Sequence, residues 1–239
     1  TGSLTLPSTL ETIGDEAFRS CSGLTGDLVI PEGVTLIEDN AFYECSGFDG
    51  TLTLPSTLAS IGSSAFSWCS GLTGDLVIPE GVTSIGDDAF AVCSGLDGTI
   101  ALPSTLTSIG DHAFSNCSGL TGDLVIPECV TSIGNYAFYW CPGLSGSVII
   151  PSTLLSVGNG LFASAGISSV VVQADNPNYS SVDGMLLSKD GSILIHCPSG
   201  KTGSLVIPEG VTYIEAQAFL ACTGLTGSLV LPEGLTAIE

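Results

Sequence analysis

The sequence predicts a repeat solenoid, a fold in which near-identical turns of chain stack on one another. Prolines recur at a strict interval of 24 residues, apolar residues keep fixed places between them, and one stretch breaks the interval. The periodic prolines are Pro7, Pro31, Pro55, Pro79, Pro103, Pro127 and Pro151, then Pro208 and Pro232. Self-similarity at a period of about 20–50 residues is the signature of a solenoid, because one unit can close its apolar faces only against its neighbours.

Each repeat begins with a short predicted strand. The second unit is TGDLVIPEGVTLIEDNAFYECSGF and the third is DGTLTLPSTLASIGSSAFSWCSGL, so PEG and PST units alternate and the duplicated unit spans 48 residues. Leu28 and Ile30 alternate around Val29, which indicates a strand with two residues facing the core and one facing outward. Pro31 ends this strand because it has no N–H to give to a ladder.

The segment after the strand is predicted to turn the chain back. Asp15 and Asp39 each stand just ahead of an Ala-Phe pair, where they suit the N-cap of one short helical turn. The Ser-Gly pair that follows, as at Ser46-Gly47, is typical of a turn into the next strand.

One insert interrupts the period. An extra 33 residues, 169–201, lengthen a single interval between prolines to 57. Val170–Val172 predicts one more rung of the sheet, and the segments MLL and ILI on either side of Asp190-Gly191 predict a β-hairpin. The candidate site residues of the insert are Asn178, Tyr179, Asp183, Lys189 and Asp190. Its oxygen-rich residues do not fit an EF-hand loop, and turns built by Asn and Asp side chains explain them better than a cation site.

The predicted organisation is a single continuous solenoid in three stretches. Residues 1–168 form seven repeats of 24 residues, 169–201 form the irregular repeat with its hairpin, and 202–239 form one further repeat and a partial one. The chain begins and ends inside a repeat, from which we expect it to be a fragment of a longer protein.

Two columns of the repeat are predicted to form the core. The phenylalanine column is Phe18, Phe42, Phe66, Phe90, Phe114 and Phe138, and the cysteine column, three residues later, is Cys21, Cys45, Cys69, Cys93, Cys117 and Cys141, with Cys222 further on. Stacked cysteines have parallel Cβ vectors, which is poor disulfide geometry, so we expect buried, reduced thiols. Cys129 and Cys197 lie outside the column, and Cys129 is expected to be accessible and reactive. Whether any cysteine forms a disulfide stays open.

The net charge excludes several function classes. The chain carries 24 acidic and 3 basic residues, a net charge of −21. Nucleic-acid binding requires basic stripes that neutralise phosphates, and anionic membranes repel such a chain. Apolar runs fall short of the ~20 residues that span a bilayer. We therefore expect neither a nucleic-acid partner nor direct membrane insertion.

Catalytic and metal-binding groups are predicted to be absent. Neither of the two histidines, His112 and His196, has a Cys or a second His at the spacing of a metal site, and no Cys-x-x-Cys occurs. Asp27, Asp75 and Asp123 form a column that alternates with threonines, which spaces the carboxylates about 10 Å apart, too far to share one calcium ion. The sequence thus predicts no enzyme, no cofactor and no metal.

The repeat resembles a known family. PEGVTSIGDDAFAVCSGL, repeated in register, is similar to the BspA-type leucine-rich repeats of secreted and surface proteins of bacteria and some protists, and DNPNYSSVDGMLLSKDG resembles a variant unit of such arrays. The resemblance implies a curved right-handed superhelix, with short parallel strands on the concave side and short helical turns or loops on the convex side. It also implies an extracellular or cell-surface role in recognition or adhesion.

A candidate binding face follows from the outward strand positions. On the predicted concave side these are Val29, Thr53, Val77, Ala101, Val125 and Ile149, beside the Asp27, Asp75 and Asp123 column. An apolar strip with acidic borders suits a basic or extended protein ligand, although a simple solvent-facing sheet surface would look the same.

The sequence favours a non-catalytic module that binds an extracellular protein or glycan of unknown identity. A structural spacer that displays another domain is the alternative, and a metal-dependent or enzymatic module is the least favoured. The oligomeric state stays open, with end-to-end contacts if the ends are uncapped.

Overall fold

The computed structural model describes residues 2–239 as a parallel β-solenoid of about nine turns, which confirms the predicted fold class. Its strands are numbered β1 to β21 in chain order. Up to the insert, strands of odd and even number form two separate rows. The odd row is β1 Thr12–Ile13, β3 Leu36–Ile37, β5 Ser60–Ile61, β7 Ser84–Ile85, β9 Ser108–Ile109, β11 Ser132–Ile133 and β13 Ser156–Val157.

The even row contains the predicted strands. It comprises β2 Leu28–Val29, β4 Leu52–Thr53, β6 Leu76–Val77, β8 Ile100–Ala101, β10 Gly122–Asp123, β12 Leu144–Ile150 and β14 Gly166–Val172. The remaining strands are β15 Tyr179–Val182, β16 Met185–Ser188, β17 Ile193–His196, β18 Leu205–Val206, β19 Tyr213–Ile214, β20 Leu229–Val230 and β21 Ala237–Ile238.

The odd row is a feature that the sequence prediction missed. Its seven strands pair in parallel as one sheet, and each residue faces its own copy 24 residues on, as Ile13 faces Ile37. The isoleucine of β1 to β11 in this row is buried and the residue before it is more exposed, whereas β13 has the partly buried Val157 at that position. This two-residue alternation was visible in the repeat, but it is too short to stand out from the loop around it.

The even row pairs mostly in twos. β2 pairs with β4, and β6 pairs with β8, so each pair joins one PEG unit to the PST unit that follows. The alternation of the two unit types therefore appears in the sheet itself.

The predicted helical turn is wrong, because residues 2–239 contain no helix. In its place are consecutive tight turns, in which Glu16 and Ser20 have φ of 54° and 57°. The N–H of Phe18 donates to the carbonyl of Ala41 in the next turn, 2.8 Å away. A helix would direct these N–H groups along its own axis, whereas the turns direct them to the neighbouring repeat.

The phenylalanine column is a continuous ring stack in the core. Successive centroids from Phe18 to Phe162 are 5.1, 5.4, 5.2, 5.5, 5.2 and 5.9 Å apart. Phe42 and every later ring of this column up to Phe162 are fully buried. Phe18 and Cys21 are only half-buried, since a single neighbouring turn of the described chain covers them.

The cysteine column lies beside the rings as free thiols. Each buried thiol from Cys45 to Cys141 donates a hydrogen bond to the carbonyl of the phenylalanine 27 residues earlier, over 3.0–3.1 Å. Burial raises the pKa of Cys45 to about 11 and that of Cys141 to about 12. The sequence predicted small hydrophobic residues at these positions but not this row of S–H donors.

The insert contains the predicted hairpin and one strand more. β16 and β17 pair antiparallel across the Asp190-Gly191 turn, which confirms the hairpin, and β15 adds to the other side of β16. β17 then pairs in parallel with β19. In β16, Leu186 packs into the core of the preceding repeats, while Met185 and Leu187 pack into a second core that continues to Ala218. The insert thus joins two packed bodies of one solenoid.

A search of residues 2–239 for a helix able to cross a membrane found none.

Candidate binding surface

The predicted binding face is a row of exposed side chains along the even strands, with Val125 just after β10, and is here called the outer row: Val29, Thr53, Val77, Ala101, Val125 and Ile149. Val29, Val77 and Ile149 are 53%, 59% and 54% exposed, although their strand neighbours are buried. The period of two in a strand causes this, because residues on either side of an inward position must face out. The outer row is therefore aliphatic, exposed and held by a rigid core.

Carboxylates line one edge of the outer row. The Asp27 carboxylate accepts hydrogen bonds from the Thr51 N–H and hydroxyl at 2.7 and 3.0 Å, and Asp75 accepts the same pair from Thr99 at 2.6 and 2.9 Å. These bonds, the N–H first, lower the pKa of both aspartates. Each threonine therefore holds an aspartate carboxylate in its charged form. It also separates that aspartate from the next aspartate of the column.

Glutamates line the opposite edge. The Glu80 carboxylate accepts the Ser104 N–H at 3.1 Å and the Ser104 hydroxyl at 2.9 Å, and Glu32 is held by Ser56 in the same way. Donation by the Ser104 N–H is the main cause that lowers the pKa of Glu80. The outer row thus lies between two borders of oriented negative charge.

The row is irregular at Asp123 and Val125. The expected strand at Leu124–Val125 is wrong, because β10 is Gly122–Asp123, which pairs with Leu144–Ser145. In earlier turns Gly26 and Gly74 donate their N–H groups to Asp49 and Asp97.

The residue that corresponds to Asp49 and Asp97 in the turn after Gly122 is Ser145, which has no carboxylate. The N–H of Gly122 donates to the carbonyl of Gly143 instead. This change shifts the register and opens a cleft of about 350 Å³ between residues 123–126 and 146–149. Val125 remains exposed, at 72%, which is more than Val29, Val77 or Ile149.

A shallow groove runs over the odd strands, on a surface that the sequence prediction did not consider. It has a volume of about 440 Å³ and a floor of small residues that repeat every 24 positions, such as Ser84, Ser108 and Ser132. Asp87 and Asp111 lie along it, and each accepts the N–H of the residue 24 positions later. The serine period could have pointed to this groove, but a column of small polar residues is also typical of an ordinary solvent face.

The candidate residues of the insert make internal contacts. Tyr179 accepts the Val157 N–H at 3.0 Å and donates to the Leu155 carbonyl, to which the Asn178 amide also donates at 2.7 Å. Lys189 donates to the carbonyl of Ala174 at 3.0 Å.

Asp190 accepts hydrogen bonds from the hydroxyl of Ser188 and the N–H of Ser192, which lower its pKa to about 2. Asp183 occupies a turn with φ of 48°. The structure therefore does not bring the five side chains to one point, and binding by them stays a prediction.

An oxygen-rich residue outside the five candidate site residues organises this part of the insert. Asn176 is fully buried, and its amide donates to the carbonyls of Pro151 and Leu154 at 2.7 and 3.0 Å. Its side-chain oxygen accepts the N–H groups of Asn178 and Tyr179. One side chain thus ties the insert to the preceding turn.

Beside the insert lies an aromatic groove of about 420 Å³. Trp140, which is 50% exposed, and Pro142 line it together with Ser199 and Gly200 of the insert and Ala221 and Thr223 of the turn after it. Cys129, in the preceding turn, is exposed as the sequence predicted, and its reactivity stays a hypothesis.

Within residues 2–239, no three His, Cys, Asp or Glu side chains come close enough to hold a metal ion. His112 stacks on Tyr136 with ring centroids 4.9 Å apart, and His196 is buried against Phe162. Both histidines therefore pack against aromatic rings.

Comparison with known proteins gives consistent matches. The family profile described as BspA type leucine-rich repeat region matches in six copies, over residues 1–121, 73–181 and 197–239. Among curated proteins, no sequence matches the chain.

Three solved structures are similar to it. A leucine-rich cell surface protein from Faecalibacterium prausnitzii A2-165 aligns with a TM-score of 0.80 and 31% identity, over 98% of this chain and 63% of its own. The pneumococcal vaccine antigen PcpA aligns at 0.72 and 26%, over 90% and 60%. A leucine-rich repeat protein from Bacteroides ovatus ATCC 8483 aligns at 0.70 and 27%, over 99% and 62%. The chain spans less than two thirds of the length of these relatives.

Proposed function

The chain belongs to the BspA-type leucine-rich-repeat family, and from that premise we propose that it is a non-catalytic recognition module at the cell surface, whose outer row binds an extended, basic segment of a partner protein. One observation carries the proposal. Exposed aliphatic side chains, 53–59% exposed at Val29, Val77 and Ile149, lie between two borders of carboxylates that the fold itself orients.

The chemistry of the row favours a basic partner. Aliphatic side chains supply apolar area for contact, while the fixed carboxylates attract cationic side chains and select against acidic ones. Because Asp27 and Asp75 are already held by threonines, binding does not have to order them. The net charge of −21 adds long-range attraction for the same class of partner.

Surface location is supported by the relatives. The similar protein of Faecalibacterium prausnitzii is described as a cell surface protein, and the pneumococcal relative as a vaccine antigen. We place the present chain in the same setting, with its solenoid displayed to extracellular proteins or glycans.

The test is a binding screen with charge-matched variants. The purified chain is screened against an array of secreted proteins, cell-surface proteins and glycans, and the strongest binder is measured against Val77→Lys and against Leu155→Lys. Leu155 is 52% exposed but lies outside the outer row, so both variants change the net charge equally. We expect Val77→Lys to weaken binding about tenfold or more and Leu155→Lys to weaken it much less.

Equal losses in both variants would mean that general charge, and not the outer row, attracts the partner. A glycan as the strongest binder would contradict the proposed basic segment. Silence across the array by a folded chain would favour a spacer that displays another domain.

A further inference from the structure

Cys197 takes a place in its turn that belongs elsewhere to the core phenylalanine. In a regular turn the N–H of Phe66 donates to the carbonyl of Ala89 at 2.8 Å, and here the N–H of Cys197 donates to that of Ala218 at the same distance. Ala218 precedes Phe219 as Ala89 precedes Phe90. The equivalence of these bonds assigns Cys197 to the phenylalanine position, although the proline period is lost in the insert.

This placement brings two thiols together. Each column cysteine donates its S–H to the carbonyl of the core phenylalanine in the preceding turn, as Cys93 does to Phe66 at 3.0 Å. Cys222 is the column cysteine of the next turn, and its sulfur lies 3.3 Å from the carbonyl oxygen of Cys197. Because residue 197 carries a thiol in place of a ring, the sulfur of Cys222 lies next to a second sulfur, and both are within 4.0 Å of the carbonyl oxygen of Pro198.

We propose that Cys197 and Cys222 are a disulfide-forming pair that links the insert to the repeat after it. The two sulfurs lie 4.0 and 3.9 Å from one carbonyl oxygen, that of Pro198, so they converge on one point from different positions of the repeat. Cysteines of the column instead occupy the same position in successive turns, where parallel Cβ vectors hinder a bridge.

The surroundings favour attack by Cys222. Cys197 is fully buried and Cys222 is half-buried. The residues on both sides of Cys222, Ala221 and Thr223, line the groove beside Trp140. The neighbouring Cys197 thiol lowers the pKa of Cys222, whereas the contact with Cys222 and burial raise the pKa of Cys197.

The reaction is a thiol–disulfide exchange with a small-molecule disulfide such as oxidised glutathione. The Cys222 thiolate attacks one glutathione sulfur, which forms a mixed disulfide and releases a glutathione thiolate. The Cys197 sulfur, after losing its proton to that thiolate, attacks the sulfur of Cys222 and releases the second glutathione. Two electrons pass from the protein thiols to the small disulfide, and the products are one protein disulfide and two reduced glutathiones.

The sequence makes the test unusually direct. The only basic residues are Arg19, Lys189 and Lys201, so trypsin cuts the chain into four peptides. Cys197 falls alone in peptide 190–201, Cys222 falls alone in peptide 202–239, and the seven other cysteines all fall in peptide 20–189. A bond between Cys197 and Cys222 therefore gives one unique linked species.

The purified chain is equilibrated with oxidised glutathione, unfolded in denaturant so that buried thiols become accessible, alkylated without reduction, digested and analysed by mass spectrometry. We expect peptides 190–201 and 202–239 to be linked, two of the nine thiols to be protected from alkylation, and peptide 20–189 to be fully alkylated. The linked form should melt about 5–10 °C higher than the reduced form, because the bond constrains the unfolded chain.

Cys222→Ser should remove the linked species and the shift in melting temperature, and Cys93→Ser, a matched change within the column, should retain both. If Cys222→Ser does not fold, the digest of the unaltered chain still shows whether peptides 190–201 and 202–239 are linked. Nine free thiols after equilibration, or a link that includes peptide 20–189, would overturn the proposal. The outcome is independent of whether the outer row binds any partner.

Discussion

The rings of Phe66 and Phe90, one turn apart, stack with their centroids 5.2 Å apart and their planes 8° from parallel. Neither ring has measurable exposure, and the same contact recurs at each step of the column. Each ring thus forms part of the hydrophobic surface on which the next repeat packs, and loss of one ring removes contacts from two turns.

Phe90→Ala should destabilise the chain by about 3–5 kcal/mol, because it leaves a cavity that the stacked turns on either side cannot fill by collapse. Phe18→Ala is the matched control at the half-buried first ring, where we expect only about 1–2 kcal/mol. Urea denaturation followed by circular dichroism measures both. Equal losses would mean that the column does not stabilise the repeats through two-sided stacking.

The Phe66–Cys93 hydrogen bond should also be measurable. Cys93→Ala removes the S–H donor and leaves the Phe66 carbonyl buried without that bond, so we expect a loss of about 1–2 kcal/mol. Cys129→Ala, at an exposed position, should change the stability by less than about 0.5 kcal/mol. A Cys93→Ala variant as stable as the unaltered chain would show that these thiols act only as small apolar groups.

Gly110 has no room for a side chain. A Cβ at this position would lie 2.6 Å from the backbone nitrogen of Asp87 in the preceding turn, so Gly110→Ala should separate the two turns and cost about 1–3 kcal/mol. Gly14 has the same place in the first repeat, but its nearest atom would be a Glu38 oxygen 3.8 Å away. Gly14→Ala should therefore be nearly neutral in the same denaturation experiment, and a comparable loss at Gly14 would contradict a clash as the cause.

His196 should make the chain sensitive to mild acid. Burial lowers its pKa from 6.5 to about 4, and neither ring nitrogen hydrogen-bonds to a group within residues 2–239. The folded state keeps the ring neutral while the unfolded state takes up a proton below 6.5, so stability is full above 6.5 and falls as the pH drops towards 4. The loss across this window is about 3 kcal/mol at most.

His196→Leu should flatten that part of the pH–stability curve, measured as denaturation midpoints between pH 7 and pH 4, and His112→Gln should not. If His196→Leu kept the full acid dependence, the proton uptake would have to occur at another group.

The charged form of Asp190 should stabilise the folded chain, and this stabilisation should be lost at a lower pH than that of His196. Hydrogen bonds from Ser188 and Ser192 lower its pKa from 3.8 to about 2, so the stability it adds is present above 3.8 and is lost as the pH falls through 2. Asp190→Asn should be less stable than the unaltered chain at neutral pH, and the difference should shrink below 3.8. Asp175→Asn, at an exposed aspartate of the same insert, is the control in the same titration, and a constant difference for Asp190→Asn would exclude this linkage.

Most of the repeat could be predicted from its period. The burial of Leu28 and Ile30, the exposure of Val29 and the hairpin around Asp190-Gly191 all follow from local patterns of alternation and turn residues. The tight turns at Glu16 and Ser20 could not be predicted from such local patterns, because their positive φ values depend on hydrogen bonds to the next repeat. When the position of the next repeat is unknown, an Asp before Ala-Phe suits the start of a helix as well as it suits a tight turn.

The sequence by itself determined the solenoid, its phenylalanine and cysteine columns and the place of its one interruption, because a strict period puts each residue against its own copy in the next turn. Only the tertiary structure decided that two rows of strands share the repeat, that one of them changes register at Gly122–Asp123, where Ser145 replaces the aspartate of earlier turns, and that Cys197 meets Cys222. The odd row joins copies of the same residue, but its strands of two residues are too short to be told from a loop by their pattern alone. The contacts at Ser145 and between Cys197 and Cys222 join residues that are not copies of one another, so side-chain packing and the choice of hydrogen-bond partners, and not the period, determine which atoms come together.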